Sequence, residues 1–316
     1  MRRQWKAMPL PPTAGRLLSN SYYDLLPIAG GLLNLALIFW SCLAFAHLPW
    51  WGIAVAFVSV AIMYCWNLQC VAHNLIHNPF FTSDWLNRVF YLVETLCLGA
   101  PHILNHHYHV AHHIGDNDYK GPDGTTKDWS SIYRYGEGKH PESFWRYSLI
   151  GYFRAEIVLA MKKVIRHGWP QIVEVIAEFL AIGAMWLFML LYNWKYFVYF
   201  YLPSYYIGWV LIYAEGYLEH YGAQPGNNFA NSVSCYNWLY NFLTFNNGYH
   251  QEHHWDPKAH WTAQKQIYKE IEPQLAANET RILRGPHITA LIEDWWNQRQ
   301  RHNKLGEKQT PSQTAA

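Results

Sequence analysis

The sequence predicts an all-α integral membrane protein, with four transmembrane helices in two hairpins and a helical cap on the cytoplasmic side. Three observations predict it. No Asp, Glu, Lys or Arg occurs between Asp24 and Asp84, a stretch long enough for two crossings of about 20 residues each. Two further apolar runs adjoin one another later in the chain, and histidines gather at the ends of these runs instead of at their centres.

The elements follow in order. The first crossing runs from about Leu25 to His47, and "LPWWG" turns the chain into the second, about Ile53 to Val71. "LNRVFYLVETLCLGA", Leu86 to Ala100, is too short to span and is expected to be re-entrant or interfacial. The third crossing covers Ile172 to Trp194 and the fourth Tyr196 to about Tyr217, where Pro203 is expected to kink the helix. Glu174, Glu178 and Glu215 are costly in lipid, so they are expected to face protein or lie near the headgroups. The chain reads as one domain over 1–316. It comprises an N-terminal cytoplasmic segment (1–24), membrane helices with a central cytoplasmic segment (25–222), a C-terminal cap (223–304) and a disordered tail (305–316).

Composition agrees with this division. With 24 Lys and Arg against 22 Asp and Glu, the net charge of +2 is too balanced to indicate nucleic acid. The mean hydropathy of −0.15 is low for a membrane protein, because apolar and polar residues are segregated into membrane and cap. The 17 Trp and 23 Tyr suit interfacial belts. Arg2, Arg3, Lys6 and Arg16 precede the first crossing, whereas the hairpin turns carry only Lys195. The positive-inside rule therefore places both termini and the central segment in the cytoplasm. "MPLPPTAG" is not the apolar core of a cleavable signal. Cys42, Cys65, Cys70, Cys97 and Cys235 show no CxxC spacing and read as buried thiols.

Against this topology the histidines form a pattern. His73 and His77 in "AHNLIHN" end the second crossing, four residues apart and so on one helix face. "NHHYHVAHH" supplies His109, His112 and His113, and "YHQEHH" supplies His250, His253 and His254 at the same HxxHH spacing. On a helix, residues three and four positions on fall at about −60° and +40° from the first. The adjacent pair then points to opposite sides of a line, which suits two neighbouring ions sharing a helix. His220 in "LEHYG" ends the fourth crossing. Four segments far apart in sequence thus deliver nine rings to one membrane face. His102, His106 and His107 are expected to be supporting donors or capping groups. His47 falls on the opposite side, and His140, His167, His260, His287 and His302 are expected to be solvated.

Imidazole suits Zn, Cu, Fe and Ni, but a structural zinc site needs only four ligands. Carboxylate-bridged di-iron bundles use Glu-x-x-His pairs on helices; here that pattern occurs once, from Glu137 to His140, in a glycine-containing loop. Nine nitrogens give two ions four or five donors each and leave room for oxygen. Two irons beside lipid point to O2 activation against an unreactive C–H bond.

The motifs HNLIH, HVAHH and HQEHH resemble the three histidine boxes of the integral-membrane fatty-acid desaturase and hydroxylase superfamily, over about Leu25 to Trp261. "NFLTFNNGYHQEHHWDP", Asn241 to Pro257, is similar to the corresponding stretch of sphingolipid and related lipid desaturases. The resemblance implies a histidine-ligated di-iron site held by His73, His77, His109, His112, His113, His220, His250, His253 and His254. It also implies O2 as co-substrate and a lipid or fatty-acyl substrate. Neither a cytochrome b5 HPGG motif nor rubredoxin cysteine pairs occur, so a separate ferredoxin-, rubredoxin- or cytochrome b5-type donor is implied.

The HxxxH first box differs from the longer box of stearoyl-type acyl-CoA desaturases, and the second box lacks the extra residue of alkane hydroxylases. Besides desaturation, the open outcomes are hydroxylation, decarboxylation to a terminal alkene and carotenoid ketolation. A metal transporter or a zinc-dependent membrane hydrolase or receptor is the alternative from another class. A transporter would hold ligands near the bilayer midplane, unlike these. In the polar loop Asp116 to Gly136, Asp116, Asp118 and Asp128 are candidates to steady ligating imidazoles, with turn formation as the competing role. Asn246 and Asn247 have the same two readings.

Overall fold

A computed structural model of the chain describes residues 17–296. Arg2, Arg3, Lys6, Arg16, His302 and the expected 305–316 tail lie outside the described residues. A 3-10 turn braced by Ser21 and Asp24 leads into α1 (Leu25–Ala44). Next, α2 (Trp50–Asn67) continues through a π-helical turn, Leu68–Ala72, into α3 (His73–His77). The short apolar segment forms α4 (Asp84–Leu98), ended by Gly99 in the left-handed region at φ 58°, and α5 (His102–Gly115) follows. The short α6 (Phe144–Ile150) and the amphipathic α7 (Ile157–His167) precede the long α8 (Trp169–Tyr196) and α9 (Leu202–Leu218). Short helices α10 (Trp238–Leu243) and α11 (His250–Trp255), then α12 (Gln264–Ala277), complete the cap. Among the described residues, the only strands longer than a single bridge are β1 (Ser234–Cys235) and β2 (Ile282–Leu283), paired in parallel.

Three helical stretches are long and apolar enough to cross a membrane: Tyr22–His47, Trp50–His77 and Trp169–Leu218. If straight, the 50 residues of the last would extend about 75 Å, against a hydrocarbon core of about 30 Å. It is not straight. Asn193 has φ −155° and ψ 88°, and its side chain accepts from Tyr196 N at 3.1 Å. Trp186 Nε1, before the break, donates to Tyr201 OH beyond it at 3.0 Å, so the chain folds back on itself. Pro203 lies in the first turn of α9, after a π-helical turn at Phe197–Tyr201; it cannot donate a helical bond to Tyr199.

Aromatic packing holds the bundle together. Tyr64, Tyr196, Phe200, Tyr201 and Met189 are fully buried in one core, with Tyr64 edge-on to Tyr205 at 5.6 Å. Helices α2 and α9 approach closely because Gly208 has no side chain: a Cβ there would sit 2.5 Å from that of Tyr64. The three acids in the apolar runs face protein, as expected. Glu178 accepts from Ile103 N at 3.1 Å, Glu174 pairs with Arg88 at 3.4 Å, and Glu215 meets Tyr240 and His287. All five cysteines are free thiols.

Two histidines expected to be solvated are buried instead. His260 is 2% exposed and donates from Nε2 to Asp24 Oδ1 at 2.7 Å, tying the C-terminal cap to the entrance of α1. His287 is fully buried between Glu215 and the Val233 carbonyl. Neither pairing is visible locally, since the partners are 236 and 72 residues away. His140 and His167 are exposed, as expected, and His47 is exposed at the end of the 3-10 turn that follows α1. Replacing His260 with Ala strands a buried carboxylate, so unfolding free energy is expected to fall by about 3 kcal/mol. Thermal or denaturant unfolding of the detergent-solubilised protein measures it.

Candidate metal centre

Helix geometry and three long-range packings bring all nine predicted imidazoles together. The π-helical turn before α3 inserts one residue, which rotates His73 and His77 by about 100° relative to an uninterrupted α2. The two HxxHH helices, α5 and α11, each divide their rings between two groups. His73, His77, His109, His113 and His253 form one group, and His112, His220, His250 and His254 the other; within each, the candidate ligand atoms lie within 4.8 Å of one another. The adjacent pairs His112/His113 and His253/His254 split across the two groups, while His109 joins His113 and His250 joins His254.

The Nε2 atoms converge in both groups. In the first, separations are 2.7 Å for His77–His109, 3.0 Å for His109–His113, 3.0 Å for His113–His253 and 2.8 Å for His253–His73. In the second they are 3.1 Å for His112–His254, 3.2 Å for His112–His220 and 3.3 Å for His220–His250. Metal–nitrogen bonds of about 2.1 Å place neighbouring donors about 3.0 Å apart at right angles and about 3.4 Å at the tetrahedral angle. The spacings therefore fit two metal shells.

Tautomers sharpen the fit. His220 Nδ1 faces the Asn231 carbonyl at 3.0 Å, which can only accept, so Nδ1 carries the hydrogen. His112 Nδ1 donates to Asp128 at 2.8 Å and His254 Nδ1 to Asp116 at 2.9 Å. Each neutral ring then directs its Nε2 lone pair inward, where a cation would satisfy all three. Burial pushes His109, His113, His250, His253 and His254 well below the ordinary imidazole value, and His220 down to about 3. These rings are neutral at pH 7, the form that binds metal. His112 differs: burial pushes it down, but the Asp128 carboxylate outweighs that and holds it up.

The remaining candidates sort as follows. Of the three loop aspartates, Asp128 and Asp116 hold imidazoles, whereas Asp118 accepts from Lys127 N and Asp128 N and so shapes the turn. Asn247 donates to Glu219 at 2.9 Å, while Asn246 donates to the Trp261 carbonyl. His102 stacks on Tyr91 and His107 meets Gln171, both outside the groups. Two further carboxylates, the buried Glu219 and the half-buried Glu215, stand close to His250 and His287. Glu219, raised to about 7 by burial, lies 3.7 Å from His250 Nδ1. Glu215 accepts from Tyr240 OH at 2.7 Å and lies 3.0 Å from His287 Nδ1. Burial works against protonation of His287, but Glu215 holds its pKa above the ordinary value. The available sequence signal was a costly acid one turn before the "EH" of "LEHYG".

A cavity of about 640 Å³ leads away from these groups. His73, His109, His112, His220 and His250 line one end, and Trp186 and Tyr205 another part of its wall; among the described residues no Lys or Arg lines it. Apolar membrane-length helices, two abutting imidazole groups that could each hold a metal ion, and an adjoining apolar cavity together define a class of mostly helical membrane protein. The family model for fatty acid desaturases matches residues 25–285, and the chain belongs to that family. It is similar to the sphingolipid delta(4)-desaturase of Schizosaccharomyces pombe, with 27% identity over 226 residues. The match covers 67% of this chain and 59% of that protein, so the chain spans less than two thirds of its relative's length.

If Asp128 and Asp116 fix the orientation of His112 and His254, replacing either with Ala should weaken retention of any metal loaded there about 10- to 100-fold. Asp118→Ala should change it far less. Competition against a graded chelator, followed by metal analysis, reads the three variants.

Proposed function

We propose that this protein is an O2-dependent, non-haem di-iron membrane oxidoreductase that desaturates a long-chain acyl lipid. The observation that carries the reading is the adjacency of two imidazole clusters and an apolar cavity without cationic lining. The family match and the sphingolipid desaturase relative support it. His73, His77, His109, His113 and His253 would hold one iron, and His112, His220, His250 and His254 the other. Bound there, the irons supply O2 activation. The overall reaction balances as –CH2–CH2– + O2 + 2 e⁻ + 2 H⁺ → –CH=CH– + 2 H2O.

The chain's own residues contribute position and exclusion of water. Asp128, Asp116 and the Asn231 carbonyl hold imidazoles in the required tautomer. The cavity wall keeps the alkyl chain dry and fixes which carbons approach the metals. Gly216 lines the cavity one turn before His220, and a Cβ there would meet nothing within 4 Å, which leaves room for the chain beside the centre. The fold-back at Asn193 supports four crossings in two hairpins, and the basic residues outside the hairpin turns support imidazoles at the cytoplasmic ends.

Two electrons come from a separate carrier in this reading. Lys258, four residues beyond His254, and Lys265 and Lys269 on α12 are all exposed, and an acidic carrier would be steered to them. Arg281, also in the C-terminal segment, is instead paired with Asp294 at 2.8 Å and lies over the Tyr221 ring. Charge reversal at the three lysines should raise the apparent KM for a soluble acidic donor by about tenfold and leave that for the lipid unchanged. Raised salt should slow the wild type steeply, because exposed charges are screened within about 8 Å at physiological ionic strength. A salt-independent rate would remove the docking role.

Aerobic lipid profiling of cells with and without the protein tests the reaction itself. A new double bond, dependent on O2, is expected. Replacing His112, His220 or His253 with Ala should each abolish it and lower bound iron, whereas His140→Ala should do neither. An alcohol product would redirect the reading to hydroxylation. Bound zinc with no aerobic lipid change would overturn it.

A further inference from the structure

The cavity beside the metal centre is open at its side. Phe153, Ile157 and Phe179 line it and are also 70%, 55% and 48% exposed. Between the last of these and Trp186 lies Gly183, which lines the cavity and is itself exposed. Phe179, Gly183 and Trp186 follow one another at helical spacing along one face of α8, so the glycine is a gap in an otherwise bulky row. The opposite rim is the turn Gly151–Arg154 and the start of α7.

Helix packing does not account for this glycine. Gly208 admits Tyr64 within a distance no side chain would allow, whereas a Cβ on Gly183 would meet nothing within 4 Å. A mid-helix glycine weakens the helix relative to alanine, and here no neighbour takes up the space. The α8 rim of the opening falls within the apolar stretch Trp169–Leu218, and an exposed apolar surface of that length suits contact with lipid better than with water.

Among the described residues, no Lys or Arg lines the cavity. The nearest rim cation, Arg154, is held by both oxygens of Glu142 at 2.9 Å and lies over the Tyr135 ring, 4.2 Å from its centre. A water-borne thioester with a phosphorylated carrier would leave its phosphates unpaired at such a rim. The carboxylate in the lining, Glu219, lies at the imidazole end, 3.7 Å from His250 Nδ1; away from that end the polar side chains, such as Asn105, Tyr108 and Tyr152, are uncharged.

We infer that Gly183 forms a lateral portal through which the hydrocarbon chain of a bilayer-resident lipid with an uncharged head passes from the membrane into the cavity. This inference rests on the acyl-lipid reading above and adds the substrate's physical state and its route.

The test uses the iron-loaded, full-length protein in phosphatidylcholine liposomes. A saturated diacylglycerol with a chain-terminal diazirine is the bilayer probe, and a diazirine-bearing palmitoyl-CoA added from water is the contrast. Photolysis followed by peptide mass spectrometry locates crosslinks. In the wild type, the bilayer probe should label the cavity face of α9, at Ile212 and Gly216, and the thioester should not. Gly183→Phe should lower that labelling at least tenfold, and Gly183→Ala should lower it less. Ala184→Phe, at an exposed neighbour that does not line the cavity, should leave it unchanged. Equal iron content and equal thermal unfolding in the variants show that fold and metal site are intact. Undiminished labelling in Gly183→Phe would overturn the portal, as would no labelling by the bilayer probe or thioester labelling insensitive to the substitution. Turnover is read separately, so a wild type that is labelled but forms no double bond would sink the desaturase reading and leave the portal standing.

Discussion

Three imidazoles of the second cluster commit their Nδ1 hydrogens outward, to Asp128, Asp116 and the Asn231 carbonyl, and so face one another through Nε2 lone pairs. At about 3 Å and out of water, such an arrangement is repulsive unless positive charge sits between them. Much of the fold serves to hold that arrangement. The left-handed residues Asp116 and Asn117 turn the chain sharply out of α5, so that the loop returns with Asp128 against His112. Asn117 then fixes this loop from within, its side-chain oxygen accepting from Ile132 N at 3.0 Å. The strand pair β1–β2 and the burial of His287 fasten the C-terminal segment over the opposite side of the cluster.

The parts legible in sequence were those encoded by local periodicity. The HxxHH spacing on α5 and α11 implied rings parted to two sides, because the angle between neighbouring helical residues is the same wherever a helix lies. The charge-free stretch from Asp24 to Asp84 and the later apolar runs located the long helices for a similar reason, since hydrocarbon excludes unpaired charge along the whole segment. What could not be read were contacts between segments. His260 and His287 look like cap histidines until Asp24 and Glu215 are brought to them. Asp116, Asp118 and Asp128 share one residue type in one loop, and only the folded path decides which two reach an imidazole. The turn between α8 and α9 is set by Asn193, an asparagine whose side chain replaces a backbone contact in a run that is otherwise apolar.

The same distinction explains why the cavity was invisible beforehand. Its walls come from α5, the α6–α7 region, α8 and α9, and the features that shape it are small residues whose neighbours are absent. A glycine in an apolar helix reads as close packing, as Gly208 demonstrates, and only the surrounding space separates that role from the one at Gly183. Metal centre and cavity also place opposite demands on the chain. The centre requires polar groups with every hydrogen bond specified, whereas the cavity requires a surface that specifies almost none. Helix α9 serves both, carrying Tyr205 and Trp209 along the cavity and delivering His220 just past its end.

The two imidazole groups are interleaved along the chain, and this has a consequence for biosynthesis. The first draws four rings from residues 73–113 and its fifth from His253; the second begins at His112 and is not complete until His254. A ribosome releasing the chain from its N-terminus would present His73, His77, His109 and His113 long before either group could close. Metal captured early would lack its final donor, and correct loading of both groups must await α11. If the two groups hold metal as proposed, assembly of the pair would be a late event, coupled to docking of the C-terminal cap, and any protein that supplies the metal would meet a nearly finished fold.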